Sequence, residues 1–259
     1  QNNLGLIYYE GKYIQRDISK VLYYYSLAAN QNNKKALFNL GYIYQEGLYV
    51  QRDINKALYY YFLSAKQNDL KAQVNLGIIF YFGEFNVPRN VQKAICYFEL
   101  AAKKQDKRAE FFLGLIYHEG QYVEKDIKKA IYYYSISALQ YHVNSLYNLG
   151  CIYYEGVDVP QNIEKAISNF KSASNVRNSH AKNNLGIIYK TGNGVKTNIF
   201  RAVEYFNEAI RENDPVAMFN LASIHFYEKE WLNLDKSMEL LIKSIKKKIM
   251  IPFFQLLCL

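Results

Sequence analysis

Cysteine is scarce: Cys96, Cys151 and Cys258 are an odd three in 259 residues, with no Cys-x-x-Cys pairing. That excludes a disulfide or zinc framework and fits a reducing compartment. Histidine is equally thin, since His118, His142, His180 and His225 lie far apart and none forms a His-Glu-x-x-His motif or a His/Cys cluster at ligand spacing. No catalytic or metal set is expected from them, and no cofactor. Long apolar runs are missing as well. The longest, Ile249 to Leu259, is broken by Pro252 and Gln255 and falls well short of the ~20 residues a membrane span requires. No segment alternates polar and apolar residues with period two, so essentially no β-structure is expected. An Asn-x-Ser/Thr site is also absent, which favours the cytoplasm over the alternative of the endoplasmic reticulum lumen. The glycine-rich Gly192-Asn193-Gly194 ends a helical pattern and follows no strand, so the phosphate-loop reading fails on context.

What the sequence does have is one unit, repeated. The stretch Ala36 to Gly47, ALFNLGYIYQEG, sets the pattern. Its Leu-Gly step recurs with glycines at 5, 41, 77, 114, 150 and 186, and degenerates to Leu221-Ala222, at intervals of 36 residues with a single 37. A fixed period of this length marks a solenoid, because no unit can bury its apolar face without a stacked neighbour. Within each unit a first helix, A, ends at a glycine six residues past the Leu-Gly step, as at Gly47 and Gly83. An Asp or Asn then opens a second helix, B, as at Asp17, Asp53, Asn90, Asp126, Asn162 and Asn198. The period predicts A helices over about 34–46, 70–82 and 107–119. The 37-residue interval reflects one extra loop residue around Asn86 to Pro88. On helix B a small residue precedes an aromatic by four positions, for example Ala57 and Tyr61, or Ala94 and Phe98, which sets both on one face. The expected repeats are about 1–32, 33–68, 69–105, 106–141, 142–177, 178–213 and 214–248, forming a single array over 1–259, with 249–259 as a C-terminal cap or truncated further helix opened by Pro252. Opening on Gln1 inside a shortened repeat, the sequence is expected to be a fragment of a longer protein.

The pattern AxxxLGxxYxxG, followed by Asp/Asn-xx-Lys-Ala, an aromatic pair and a small pair, resembles the Sel1-like repeat, a relative of the tetratricopeptide repeat. The resemblance covers about residues 1 to 247. It implies an all-α, right-handed αα superhelix of about seven helix pairs whose A helices line the concave face. It also implies a non-enzymatic adaptor of signalling or protein-quality-control complexes. A branch of the family with a cysteine pair in each repeat is not matched here. Two settings stay open beside a free-standing adaptor: a regulatory repeat region of a larger protein such as a kinase, and an adaptor in degradation from the endoplasmic reticulum.

A net charge of +9 favours an acidic partner, but Lys and Arg look scattered along the sequence, with Lys243 and Lys246 to Lys248 the one cluster. Nucleic-acid binding is therefore not expected; a protein or peptide partner is. The best surface constellation is the residue before each repeated Leu: Asn3, Asn39, Asn75, Asn148, Asn184 and Asn220, with Phe112 the exception. An Asn offers two donors and an acceptor, so a ladder of them can hold an extended peptide whatever its side chains. Alternatively the amides bond the neighbouring repeat's backbone and align the stack. Five residues after each Leu stands a second row that includes Gln45, Tyr81, His118 and Tyr154, of the mixed character typical of recognition surfaces. Residues two past the Leu, Tyr42 first among them, lie between the two rows.

Overall fold

The computed structural model describes residues 1–12, 14–48, 50–83 and 86–250, of which 248–250 are described by backbone alone. Among these residues there are fourteen α-helices and no strand, as the missing period-two pattern requires. In chain order they pair as α1 (Asn2–Glu10) with α2 (Ile18–Asn30), α3 (Lys34–Glu46) with α4 (Ile54–Lys66), and α5 (Leu70–Phe82) with α6 (Val91–Ala102). Then follow α7 (Lys107–Glu119) with α8 (Ile127–Leu139), α9 (Val143–Glu155) with α10 (Ile163–Asn175), α11 (Ser179–Thr191) with α12 (Ile199–Arg211), and α13 (Pro215–Tyr227) with α14 (Leu234–Met250). Odd-numbered helices are the A helices, and the three whose limits the period predicts sit at those limits. The helix expected after Pro252, and Cys258, lie outside the described residues.

Two compact units divide the chain, Gln1–Tyr133 and a second beginning at Tyr134. Each is an all-α stack of helix pairs joined by short connections, the solenoid arrangement that the period calls for.

Local chemistry sets the helix ends. Gly47 closes α3 in the left-handed conformation, φ 66°, and returns its N–H to the carbonyl of Ile43. Asp53 then caps α4 by accepting from the N–H of Lys56 at 3.0 Å. The residue before that cap reaches backwards. Arg52 Nε donates to the carbonyl of Gln45 at 2.5 Å, Arg89 Nε to Tyr81 at 2.5 Å, and Gln161 Nε2 to Tyr154 at 2.7 Å. Carbonyls that helix A leaves unbonded at its end are thereby satisfied. A helices have caps of their own, such as Asp69 on the N–H of Ala72 at 3.0 Å and Asp106 on that of Ala109 at 3.1 Å. In the last pair Glu228 takes an extended conformation where earlier repeats have glycine, and a single 3₁₀ turn, Lys229–Trp231, leads to α14.

Packing explains the Leu-Gly step. The ring of Tyr61 lies across Gly41, so that a Cβ added there would stand 2.6 Å from Cδ1. Gly5 meets Tyr25, Gly77 meets Phe98, Gly150 meets Phe170 and Gly186 meets Phe206 in the same way. Glycine on helix A lets the aromatic of helix B lie flat against the backbone. Tyr61, Phe98, Phe170 and Phe206 are wholly buried in consequence, each contributing about 1.5–3 kcal/mol of transfer free energy.

Candidate functional site: the A-helix rows

Helix B of one repeat brings the two candidate rows together. Asn75, on α5, donates from Nδ2 to the Tyr61 hydroxyl at 3.0 Å, and that hydroxyl donates to Gln45 Oε1 at 2.7 Å. Three positions far apart in sequence thus form one chain of hydrogen bonds across two repeats. In the second unit Asn148 Nδ2 bonds the Tyr134 hydroxyl at the same 3.0 Å. Asn39 is the corresponding partner of Tyr25, whose phenol is pushed up to about 12 by burial, against the opposing pull of the Asn39 amide.

The exception in the ladder obeys the same geometry. Phe98 has no hydroxyl to offer, and the residue fourteen positions on is Phe112, whose ring stacks on it at 4.9 Å and 5°. Where Phe170 and Phe206 replace tyrosine, the amides find other partners. Asn184 lies beside the Tyr147 phenol, whose pKa is raised well above its ordinary value chiefly by burial. Asn220 Nδ2 donates to Asn183 Oδ1 at 2.8 Å.

The remaining candidates are differently placed. Tyr42 is exposed, at 40%. Tyr81 is only 3% exposed; its hydroxyl donates to Glu119 Oε2 at 2.8 Å, so its ring packs between repeats. His118 and Tyr154 are half-buried, and Tyr154 meets Phe170 edge-on at 6.5 Å. Lys190, in the same row, donates to Ser223 Oγ at 2.7 Å. In the first unit the rows open into a cleft of about 240 Å³ lined by Leu6, Tyr9, Tyr25, Phe38, Asn39, Tyr42 and Ile43. Its walls are apolar apart from the amide and phenol groups, and its volume suits one large side chain.

Sequence reasoning missed the pairing of four helix B aromatics, Tyr25, Tyr61, Phe98 and Tyr134, with the residue fourteen positions later. The signal was present: Tyr25, Tyr61 and Tyr134 are followed by Asn39, Asn75 and Asn148, and Phe98 by Phe112. It also missed His180, whose Nδ1 lies 3.0 Å from Oδ2 of the buried Asp214, the cap of α13. Their hydrogen bond raises the His180 pKa, while the same contact and two backbone N–H groups hold Asp214 below the usual carboxylate range despite its burial. Among the described residues no three His, Cys, Asp or Glu side chains converge as a metal site. No described helix is long and apolar enough to cross a membrane.

Solved structures share the stack. A protective antigen present in uropathogenic Escherichia coli strains, displaying an SLR fold, matches with a TM-score of 0.88 at 25% identity over 95% of this chain. This chain spans only 53% of that antigen, about half its length. A Sel1 repeat protein from Oxalobacter formigenes matches with a TM-score of 0.79 at 26% identity, over 95% of this chain and 100% of that one. The immunity protein PA5088 from Pseudomonas aeruginosa, at 12% identity, a TM-score of 0.51 and coverage of 83% and 82%, shares the fold alone. Compared by sequence with curated proteins, the chain matches none. Compared with protein families, it matches the Sel1 repeat seven times, at residues 1–33, 34–69, 70–106, 107–142, 143–175, 179–214 and 215–248. With helix pairs and family matches that follow one another through all seven repeats, and glycines closing helix A in the first six, the chain belongs to the Sel1 repeat family.

Proposed function

We propose that the array is a non-enzymatic scaffold that binds a partner protein as an extended segment laid along the A-helix face. The cleft at the first two repeats carries this reading, because it sets an exposed aromatic, Tyr42, and an amide, Asn39, around an apolar hollow. A partner side chain filling the hollow gains burial, and the amide bonds the backbone beside it. Membership of a repeat family of stacked helix pairs supports a protein partner over a small molecule. A cytoplasmic setting is supported by Cys96, an exposed free thiol.

Selection of random peptides on the immobilised protein tests the proposal, with Tyr42→Ala as the comparison because Tyr42 is exposed and its loss leaves the stack intact. Enriched peptides sharing one large apolar residue, with affinity falling about tenfold or more on Tyr42→Ala, are expected. Peptides that bind Tyr42→Ala as well as the parent would place recognition elsewhere and refute the cleft as its anchor.

A further inference from the structure

The sequence shows its cations dispersed, but the repeat period gathers them. In the first unit the turns from helix B to the next helix A, taken with the helix-end residues that flank them, are residues 30–35, 66–71 and 103–108. Lys34 and Lys35 lie in the first, Lys66 and Lys71 in the second, and four more cations, Lys103 and Lys104 among them, in the third, all exposed. Against these eight stand two carboxylates, Asp69 and Asp106. The rest of the unit carries ten Lys or Arg and ten Asp or Glu, so its whole net charge sits on these turns. Contacts hold the turns side by side: Ser64 Oγ donates to the carbonyl of Lys34 at 2.8 Å, and Lys104 Nζ to that of Asn68 at 3.3 Å.

We propose that this basic edge is a second interaction surface, and that it takes an acidic, extended segment of a partner protein. The proposal stands independently of the cleft. Three adjacent turns spaced by about 10 Å, the usual distance between packed helices, span roughly 20 Å. At about 3.3 Å per residue that is the length of six or seven extended residues. The row is interrupted, because helix capping fixes Asp69 and Asp106 within it. A polynucleotide, charged at every phosphate, has to lie against those carboxylates. A peptide can set uncharged residues opposite them and carboxylates opposite the lysines. The turns also carry amides, Gln31, Asn32, Gln67, Asn68 and Gln105, and no aromatic ring on which a base could stack.

Fluorescence anisotropy with a labelled peptide of about eight residues, Glu at every second position, tests this on the intact protein. The expected result is salt-sensitive binding that weakens by at least about tenfold in Lys35→Glu/Lys71→Glu/Lys103→Glu. The same number of reversals elsewhere in the unit, Lys12→Glu/Lys125→Glu/Lys128→Glu, should change it by less than about threefold. Circular dichroism of both triple variants checks that they remain helical. Equal loss in the two variants would reduce the effect to net charge and overturn the proposal. Absence of peptide binding at low salt would overturn it, as would tighter binding of duplex DNA or of vesicles containing phosphatidylserine than of the peptide.

Discussion

Gly77→Ala should destabilise the first unit although it improves helix propensity, and the sign should reverse when Phe98 is made smaller. A Cβ at position 77 would lie 2.5 Å from Phe98 Cε1, 2.7 Å from Cδ1 and 2.9 Å from Cζ. Ordinary carbon contacts are about 3.5–4.0 Å, so the ring has to retreat by roughly 1 Å. It has nowhere to go, because Phe112 stacks on it at 4.9 Å and the ring is wholly buried. Overpacking of this kind costs about 1–3 kcal/mol, and a ring held on both sides belongs at the upper end. Replacing glycine inside a helix returns about 1 kcal/mol. The net loss is therefore about 2 kcal/mol, or roughly 4–8 °C in Tm for a chain of this size.

Thermal or urea unfolding followed by helical circular dichroism reads the effect, and the double variant supplies the decisive sign. In a Phe98→Leu background, Gly77→Ala should stabilise by up to about 1 kcal/mol, because only the propensity gain remains. The coupling between the two sites should reach about 2–3 kcal/mol. The last repeat already shows the pairing: Ala222 stands at the glycine position, and Leu241 at the aromatic position of α14 packs against the cluster that holds it. Gly77→Ala as stable as the parent, with additive effects in the double variant, would refute the claim that glycine is there for the ring.

Other outcomes follow from the same geometry. Asn75→Ala and Asn148→Ala should each lower unfolding free energy by about 1–2 kcal/mol, as a buried tyrosine hydroxyl loses the N–H that the amide donates to it; urea titration checks it, and Tyr61→Phe should blunt the Asn75 effect. The His180 pKa is raised, so its contribution is fully present below the ordinary histidine value and is lost as pH rises through the raised one. Asp214 is lowered, so its contribution is present above the ordinary carboxylate range and lost as pH falls through its lowered value. Between these limits the pair is at full strength, and Tm of the parent should decline relative to His180→Gln as pH rises above the ordinary histidine value. Tyr141 and Arg177 hold left-handed φ angles of 55° and 62° at turns where Asn32, Asn68 and Asn213 stand in other repeats; Tyr141→Asn and Arg177→Asn should each raise stability by about 0.5–1 kcal/mol in the same titrations.

The fold was legible because its signals are local and repeated. Gly47 and Asp53 announce a helix end and a helix start through backbone conformation and capping, which depend on neighbours a few residues away. Contacts between repeats are different. Nothing near Asn75 reveals that its amide meets a hydroxyl fourteen residues back, and only Phe112 opposite Phe98 exposes the rule, as a joint exception. Tyr81 reads as a groove residue by its position, yet the neighbouring repeat covers it and Glu119 accepts from its hydroxyl. The charged edge was hidden for a related reason. Lysines 36 or so residues apart look scattered along a line, and they become neighbours once the line is wound at that period.

Stacking and recognition need not compete for the same amide. Asn75 commits one N–H to Tyr61, and an asparagine side chain has a second N–H and a carbonyl oxygen with further capacity. Fixing the amide through one bond also holds its rotamer, so a partner that bonds the others loses less side-chain entropy in doing so. On this view the tyrosine on helix B is a positioning group for the A-helix row, and variation along the row has a consequence for specificity. Repeats that pair Asn with Tyr present an oriented amide, whereas the Phe98 and Phe112 pair presents only an apolar ring. A segment bound along the first unit would therefore meet amides at Asn39 and Asn75 and an aromatic step at Phe112. That order favours a backbone held at its first residues and an apolar side chain at its last.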